Sequence, residues 1–242
     1  MLLLILLALL LMLLLLIYTI YKPPTWLVSL MSWKNPDVLF HVPLSSSNHV
    51  VALTIDDAPS SETGKILDVL KKYNAKATFF IIGSQASGYE AVLKRMHDEG
   101  HEMGNHAWRD EPSVRLRSEV LKQQMMDVEK MLIPNESGTK WFRPGSGYFN
   151  KKMVDVVKEM GYRTVLGDIF PFDPVIPRPK INAAHILSML KPGGIIIVHD
   201  RRSYSAEQLE ITLKGMKERG WKAESLGGVL KIAEEEKKEK AR

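Results

Sequence analysis

The sequence predicts an α/β fold: a distorted (β/α) barrel of about seven parallel strands, preceded by an N-terminal transmembrane helix. Three observations carry this. From residue 48 onward, short apolar runs alternate with longer segments whose apolar residues recur every three to four positions, which is the pattern of parallel strands joined by crossover helices. A chain of 242 residues with 45% hydrophobic content holds one sizeable core more naturally than two. Residues 1–21 are apolar throughout and carry no charged side chain. A doubly wound open sheet is the competing architecture for the strand–helix repetition.

At 1.5 Å per residue, MLLLILLALLLMLLLLIYTIY reaches across a bilayer core of ~30 Å. It lacks a basic leading region and a small-x-small cleavage site, so it reads as an uncleaved anchor of a single-pass protein. Lys22 and Lys34 behind it pull towards a cytosolic body. Asn135-Glu136-Ser137 is a glycosylation sequon that has meaning only in a lumenal one. A lumenal or extracellular catalytic domain is the preferred reading. Residues 22–47, with prolines at 23, 24, 36 and 43, read as a linker, where Trp26 and Trp33 suit the membrane interface or the domain surface. The domain itself is placed at 48–242.

Within that domain VVALTID (50–56) is a buried strand, and SETGKILDVLKKYN a helix with Ser61 or Thr63 near its start. ATFFIIG (77–83) is the next strand, YEAVLKRMHDEG a helix closed by Gly100, and HEMGNH a short extended piece. Val114, Leu116, Val120, Leu121, Met125, Val128 and Leu132 share one face at helical spacing, which predicts a long helix over roughly 113–132. KWFRP precedes a helix at 150–160, YRTVLG is a strand, and 171–180 is a proline-broken loop. A helix at 182–190, the strand GGIIIVHD (193–200), a helix at 205–219 and WKAESL complete the alternation. The tail AEEEKKEKAR is a solvated helix end.

Composition excludes several functions. The net charge of +5 is spread among acidic residues with no basic, aromatic-studded face, so nucleic acid is not an expected partner. With zero cysteines there is neither disulfide nor thiolate metal site, and a bound metal would need histidine and carboxylate ligands.

In parallel α/β sheets ligands sit at the carboxyl ends of the strands. Those ends collect Asp56 and Asp57, His106 with Asp110, Arg143, Asp168 or Asp173, and His199 with Asp200. Concentrated charge costs several kcal/mol per group to desolvate unless it is paired or metal-bound, so the collection points to chemistry. Alone, His106 and Asp110 are as well read as a polar pair on a loop, Asp56-Asp57 as a turn, and Trp108 and Trp141 as packing. Asp168 is read either as a loop acid or as a partner for His199, and Asp200 as a helix cap.

The order TIDDAPS (54–60), ATFFIIG (77–83), GHEMGNHAW (100–108), WFRPGSG (141–147) and IIIVHD (195–200) resembles the polysaccharide deacetylase family. These are carbohydrate esterases that include chitin and peptidoglycan N-deacetylases. The resemblance covers residues 50 to about 225. It implies Asp56 as general base, Asp57 and His106 as metal ligands, and Arg143 as the group that orients the base. It also implies His199 as general acid held by Asp173, Ile197 beside the acetyl methyl, and the Ser146 amide at the oxyanion. Trp108 would line a sugar groove.

Three positions depart from the family pattern. Asp110 stands where a second histidine ligand is expected, RPGSG replaces Arg-Pro-Pro-Tyr, and Pro174 replaces tryptophan. One imidazole and two carboxylates (Asp57, His106, Asp110) would make a facial ligand set for a divalent ion, with zinc foremost and manganese, iron or cobalt favoured by the added carboxylate. The implied function is metal-dependent removal of N-acetyl groups from N-acetylglucosamine-type glycans, by a protein held in the membrane through residues 1–21. The alternatives are a non-catalytic descendant that binds a glycan or protein partner, and a deacetylase of another small amide or glycolipid. Asp56, Arg143 and His199 together favour an enzyme, because a binding module needs no base, orienting arginine and acid in one cleft.

Overall fold

The computed structural model describes residues 1–241. It begins with α1 (Leu2–Tyr21) and α2 (Thr25–Lys34). After the edge strand β1 (Val38–Leu39) the chain alternates: β2 (Val50–Ala58), α3 (Thr63–Tyr73), β3 (Thr78–Ile81), the short α4 (Gly83–Ala86), α5 (Glu90–Asp98), β4 (Glu102–Asn105), α6 (Ser118–Glu129), β5 (Lys140–Phe142), α7 (Lys151–Glu159), β6 (Tyr162–Val165), α8 (Pro179–Met189), β7 (Ile195–His199), α9 (Ser205–Glu218), β8 (Lys222–Glu224) and α10 (Leu226–Lys240).

Every pairing between these strands is parallel, in the order β1-β6-β5-β4-β3-β2-β7, with β8 added against the start of β2. The ring is drawn together by a bridge between Ile169, beyond β6, and Ile196 of β7. The result is the expected distorted barrel of seven parallel strands with helices around it. β2 pairs with three strands, β3, β7 and β8, and all nine of its residues are buried, as a parallel strand covered on both faces requires. Val51, Leu53 and Ile55 pack with α3 and α9, while Val50 and Ala52 pack with Trp141, Leu226 and Val229 of α10 on the other side.

Local chemistry sets the helix ends. The Asn150 and Ser225 side chains accept from the amides of Met153 and Gly228, capping α7 and α10. Asn74 takes a left-handed conformation at the end of α3.

Three expectations are corrected. The segment read as a linker contributes β1 to the sheet, and Phe40 and Val42 are buried, so the folded body begins near Val38. The long helix at 113–132 is broken: a 3₁₀ turn (Ser113–Arg115) precedes an extended Leu116–Arg117, and α6 begins only at Ser118. The break lets buried Ser113 turn inward, where its hydroxyl accepts from the Gly145 amide at 2.9 Å. The charged tail is a helix end as expected, but α10 as a whole is a packed element, with Val229 and Ala233 in the core. In the sequon, the Asn135 side chain is engaged with the Met103 backbone on both its amide oxygen and its nitrogen, a structural role for that residue.

α1 buries none of its residues and has a mean hydropathy of 3.2 over its most apolar window, which is long and apolar enough to cross a membrane. Its last turn is docked on the body: the Tyr21 ring packs at a 45° tilt against His185 of α8 with centroids 4.1 Å apart and lies 5.8 Å from Phe172, and Lys22 donates to Ser188.

Gly193, just before β7, has φ 74°, and a Cβ there would overlap the Val42 carbonyl oxygen. Gly193→Ala is therefore expected to cost at least the ~1–2 kcal/mol of a left-handed non-glycine residue, lowering the midpoint of thermal unfolding by several degrees in a chain of this size. Circular dichroism on heating measures it, and an unchanged midpoint would refute this account of the closure.

Candidate active site

At the carboxyl ends of the strands lies a cleft of about 660 Å³. The strands deliver its polar groups in turn: Asp56 and Asp57 from β2, His106 from the end of β4, Arg143 after β5 and His199 from β7. The backbone bends sharply beside each. Among the described residues six non-glycines have left-handed φ; Asn74 ends α3, and the other five, Asp57, Ala107, Ser146, Phe172 and Arg201, stand at these strand ends with φ between 60° and 66°. Non-glycine residues in this region carry strain that persists where surrounding packing over-determines it, and such strain clusters at functional sites.

Asp56 and Arg143 form the buried centre. The Arg143 Nη1 donates to Asp56 Oδ1 at 2.6 Å and to Thr54 Oγ1 at 2.7 Å, Nη2 donates to the Leu166 carbonyl at 2.9 Å, and the guanidinium lies over the Phe80 ring at 4.2 Å. Burial works against the Asp56 carboxylate, but Arg143 and the nearby imidazoles of His106 and His199 outweigh it and hold its pKa below the ordinary value. Asp56 is thus an ionised acceptor.

His199 is the donor opposite. Its Nδ1–H donates to Asp173 Oδ1 at 2.9 Å and its backbone amide to Asp173 Oδ2 at 2.8 Å, so one carboxylate sets both the ring and the strand end. Gln208 and Tyr204 of the next segment secure Asp173 in turn. Burial opposes the charged imidazole, yet the hydrogen bond and charge of Asp173, with Asp56 and Asp57 behind, raise its pKa above the ordinary 6.5. Its Nε2 faces Asp56 Oδ2 across 4.0 Å.

Asp57 and His106 make a second pair. The His106 Nδ1–H donates to the Arg143 carbonyl at 2.7 Å, so in the neutral ring it is Nε2, 3.8 Å from Asp57 Oδ1, that offers a lone pair. Two donors at that separation fit one divalent cation held at roughly 2.0–2.2 Å from each. Burial raises the Asp57 pKa, and Asp110 and Asp56 add to it against the opposing imidazoles. Asp110 does not join them. It is exposed and accepts from Arg201 at 3.3 Å, while the Arg201 and Arg202 guanidinium groups also lie 3.9 and 3.5 Å from Asp57 Oδ2. Among the described residues no three His, Asp or Glu side chains converge on one point. The expected ligand set is thus assembled in two of its three members.

Ser146 and Ile197 line the cleft as expected. Trp108 does not: its ring packs beside Gly83 and Val128, and its backbone amide donates to Gln124. Trp141 is fully buried with its indole N–H on Glu102, a packing residue. Asp168 is bound to His41 and Lys191, and so is no partner for His199. Asp200 caps no helix; Ser60 and Thr63 donate to it, tying β7 to the start of α3. Arg201, Arg202, Thr54 and Gln208 were not foreseen. The adjacent arginines directly after IIIVHD were the available signal for the first two.

The two neighbouring carboxylates should behave oppositely in metal-free buffer. Asp56→Ala leaves Arg143 buried without its partner and is expected to cost about 3–5 kcal/mol. Asp57→Ala removes a carboxylate whose raised pKa destabilises the fold above that pKa, so at pH 7 it is expected to be neutral or stabilising. Denaturant unfolding with chelator present measures both, and equal losses would refute the assignment.

Comparison with known proteins agrees with this geometry. The polysaccharide deacetylase profile matches residues 45–165. A peptidoglycan-N-acetylglucosamine deacetylase of Bacillus cereus is 30% identical over 200 residues, covering 80% of this chain and 93% of the relative. The structure of the peptidoglycan deacetylase PdaC from Bacillus subtilis superposes with a TM-score of 0.72 at 29% identity, covering 82% of this chain and 98% of that one. A CE4 family pseudoenzyme from Bacillus anthracis does so with a TM-score of 0.70 at 26% identity, covering 81% and 69%. With its strand-end carboxylates, arginine and imidazoles in one cleft, and its kinship extending across most of its length, this chain belongs to the polysaccharide deacetylase family.

Proposed function

We propose that this deacetylase is a metal-dependent hydrolase of N-acetyl groups on N-acetylglucosamine-type glycans, with its body on the lumenal or extracellular side of a membrane that α1 anchors. The observation that carries the reading is the facing of Asp56 Oδ2 and His199 Nε2 across 4.0 Å, one side held ionised by Arg143 and the other held protonated by Asp173. A base and an acid with pKa values pushed apart in one cleft are what amide hydrolysis uses.

Asp57 and His106 would hold the cation, zinc, manganese, iron or cobalt, with Asp110 as a third ligand once it leaves Arg201. When bound, that ion polarises the amide carbonyl and makes water more acidic. Asp56 takes the proton of the attacking water as the new C–O bond forms. His199 gives its Nε2 proton to the nitrogen as the C–N bond breaks, and the products are acetate and a free amine. Ile197 meets the acetyl methyl, and the Ser146 amide at the cleft wall is the candidate donor to the developing oxyanion. The pairing of Asp110 with Arg201 favours one second reading, a glycan-binding descendant without turnover, since it draws off a ligand the chemistry needs.

Acetate release from N-acetylglucosamine oligomers, measured with Zn²⁺, Mn²⁺ or Co²⁺ supplied, is the test. Release that depends on the ion and falls about 10²–10⁴-fold in Asp56→Asn is expected. Folded, metal-binding protein that releases nothing would point to another acyl substrate, and folded protein that neither releases acetate nor binds metal would establish the second reading.

The pH profile of kcat/KM should show the two groups. Because the His199 pKa is raised, the acid stays protonated past pH 6.5 and activity falls only as the pH rises through the higher folded value. Asp173→Asn removes the largest raising influence, so the alkaline limb is expected to move to lower pH. An unmoved limb would exclude His199 as the acid. The same pair contributes stability that is complete below the ordinary imidazole pKa and lost on the alkaline side.

A further inference from the structure

The residues that end α1 also wall the active-site cleft. Ile20, Tyr21 and Pro23 line the same cavity as Asp56, Arg143 and His199. Tyr21 is not loosely draped there: its ring packs against His185 and approaches Phe172, and Lys22 is bonded to Ser188 of α8. His185 is kept neutral by burial and by Lys22, its pKa pushed down to about 4, so the contact is apolar at any physiological pH.

α1 leaves the body at this point with no buried residue, and its 20 residues span ~30 Å, the thickness of a hydrocarbon core. Tyr18, Tyr21 and Lys22 at its end are the residue types that settle at a bilayer's headgroup level. Whatever lies beside Tyr21 therefore lies beside the headgroups.

A second surface carries side chains of the same kind. α2 follows the span after three residues and turns Val28 inward, while Trp26, Leu30 and Trp33, spaced four and three apart, face outward on one stripe. The two indoles are 66% and 76% exposed, and tryptophans that stand free of the body beside a span are the side chains that collect at headgroup level. The lip of the cleft is apolar as well: Val175 is 78% exposed and Tyr148 71%. The occupant whose chemistry suits the span, the indole stripe and the lip alike is the bilayer in which α1 sits.

We propose that the cleft opens onto the membrane surface and that its substrate is an N-acetylated sugar carried on a lipid, presented from the bilayer that holds α1. The proposal rests on the deacetylase reading above for its chemistry and on α1 for its geometry. The sugar enters between Tyr21 and the apolar lip, the hydrocarbon chain stays in the membrane, and the amide reaches Asp56 and His199 without the glycolipid leaving the bilayer.

The chain has no cysteine, so single-cysteine variants report one position each. In the full chain reconstituted into phospholipid vesicles, a fluorophore on Val175→Cys is expected to be quenched by brominated lipid at least severalfold more than one on Lys71→Cys, at the far end of α3. Equal quenching at the two positions overturns the bilayer-facing cleft. In the same vesicles, a synthetic glycolipid with an N-acetylglucosamine headgroup is expected to release acetate about tenfold faster per accessible sugar than a water-soluble oligomer, and Trp26→Ser with Trp33→Ser is expected to reduce that preference while leaving oligomer turnover unchanged. Equal rates on both substrates overturn the lipid-borne substrate. Release from neither substrate, with Val175→Cys quenched, overturns the deacetylase reading and the glycolipid with it, while the membrane-facing cleft stands.

Discussion

The buried pair of Arg143 and Asp56 is the constraint from which the site is built. Removing both charges from water costs several kcal/mol, which is recovered only if every donor and acceptor is satisfied. The surroundings supply that: Thr54 and Asp56 come from the same strand, the Leu166 carbonyl from beyond β6, and the Phe80 face from β3. The backbone of Arg143 adds a second duty, because its carbonyl orients His106 and leaves the imidazole Nε2 open towards Asp57. One residue thus fixes the ionised Asp56 carboxylate through its side chain and the His106 imidazole through its main chain.

Around that centre the electrostatics divide. On the His199 side a donor is held charged by a carboxylate that is itself anchored at three places. On the Asp57 side the positive charge comes from arginines, since Arg201 and Arg202 approach Asp57 while Arg201 keeps Asp110. Asp56 and His199 stand fully partnered by the protein alone, whereas the half proposed for a cation is a carboxylate and an imidazole with two guanidinium groups beside them. Of the five left-handed residues at the strand ends, Asp57, Ala107 and Arg201 lie at or beside the Asp57–His106 pair, and Ser146 and Phe172 lie on the other walls of the cleft.

Much of this was legible in the sequence because an ionisable residue that ends an apolar β-run has only one place to go in a parallel barrel. Asp56, His106, Arg143 and His199 each announce themselves that way, and the barrel follows from the runs. What was illegible depends on partners distant in sequence. The orientation of Asp110 is decided by an arginine 91 residues later. The two-residue β1 is a strand only because β6 lies beside it. Leu116 and Val114 have helical spacing, yet Ser113 breaks the helix to reach the Gly145 amide. Trp108 has the look of a sugar platform, and the absence of a side chain at Gly83 is what gives its ring a seat in the body.

Gly145 makes one further matter of the loops. A Cβ at this position would overlap the Glu111 carbonyl oxygen, so glycine here is what allows the strand carrying Arg143 and the turn carrying Asp110 to lie against each other. Any side chain at 145 would have to push that carbonyl away and lift the turn with it. The gap between the two loops is thus gauged by one missing methylene, and the seat of Asp110 answers to an atom that glycine lacks.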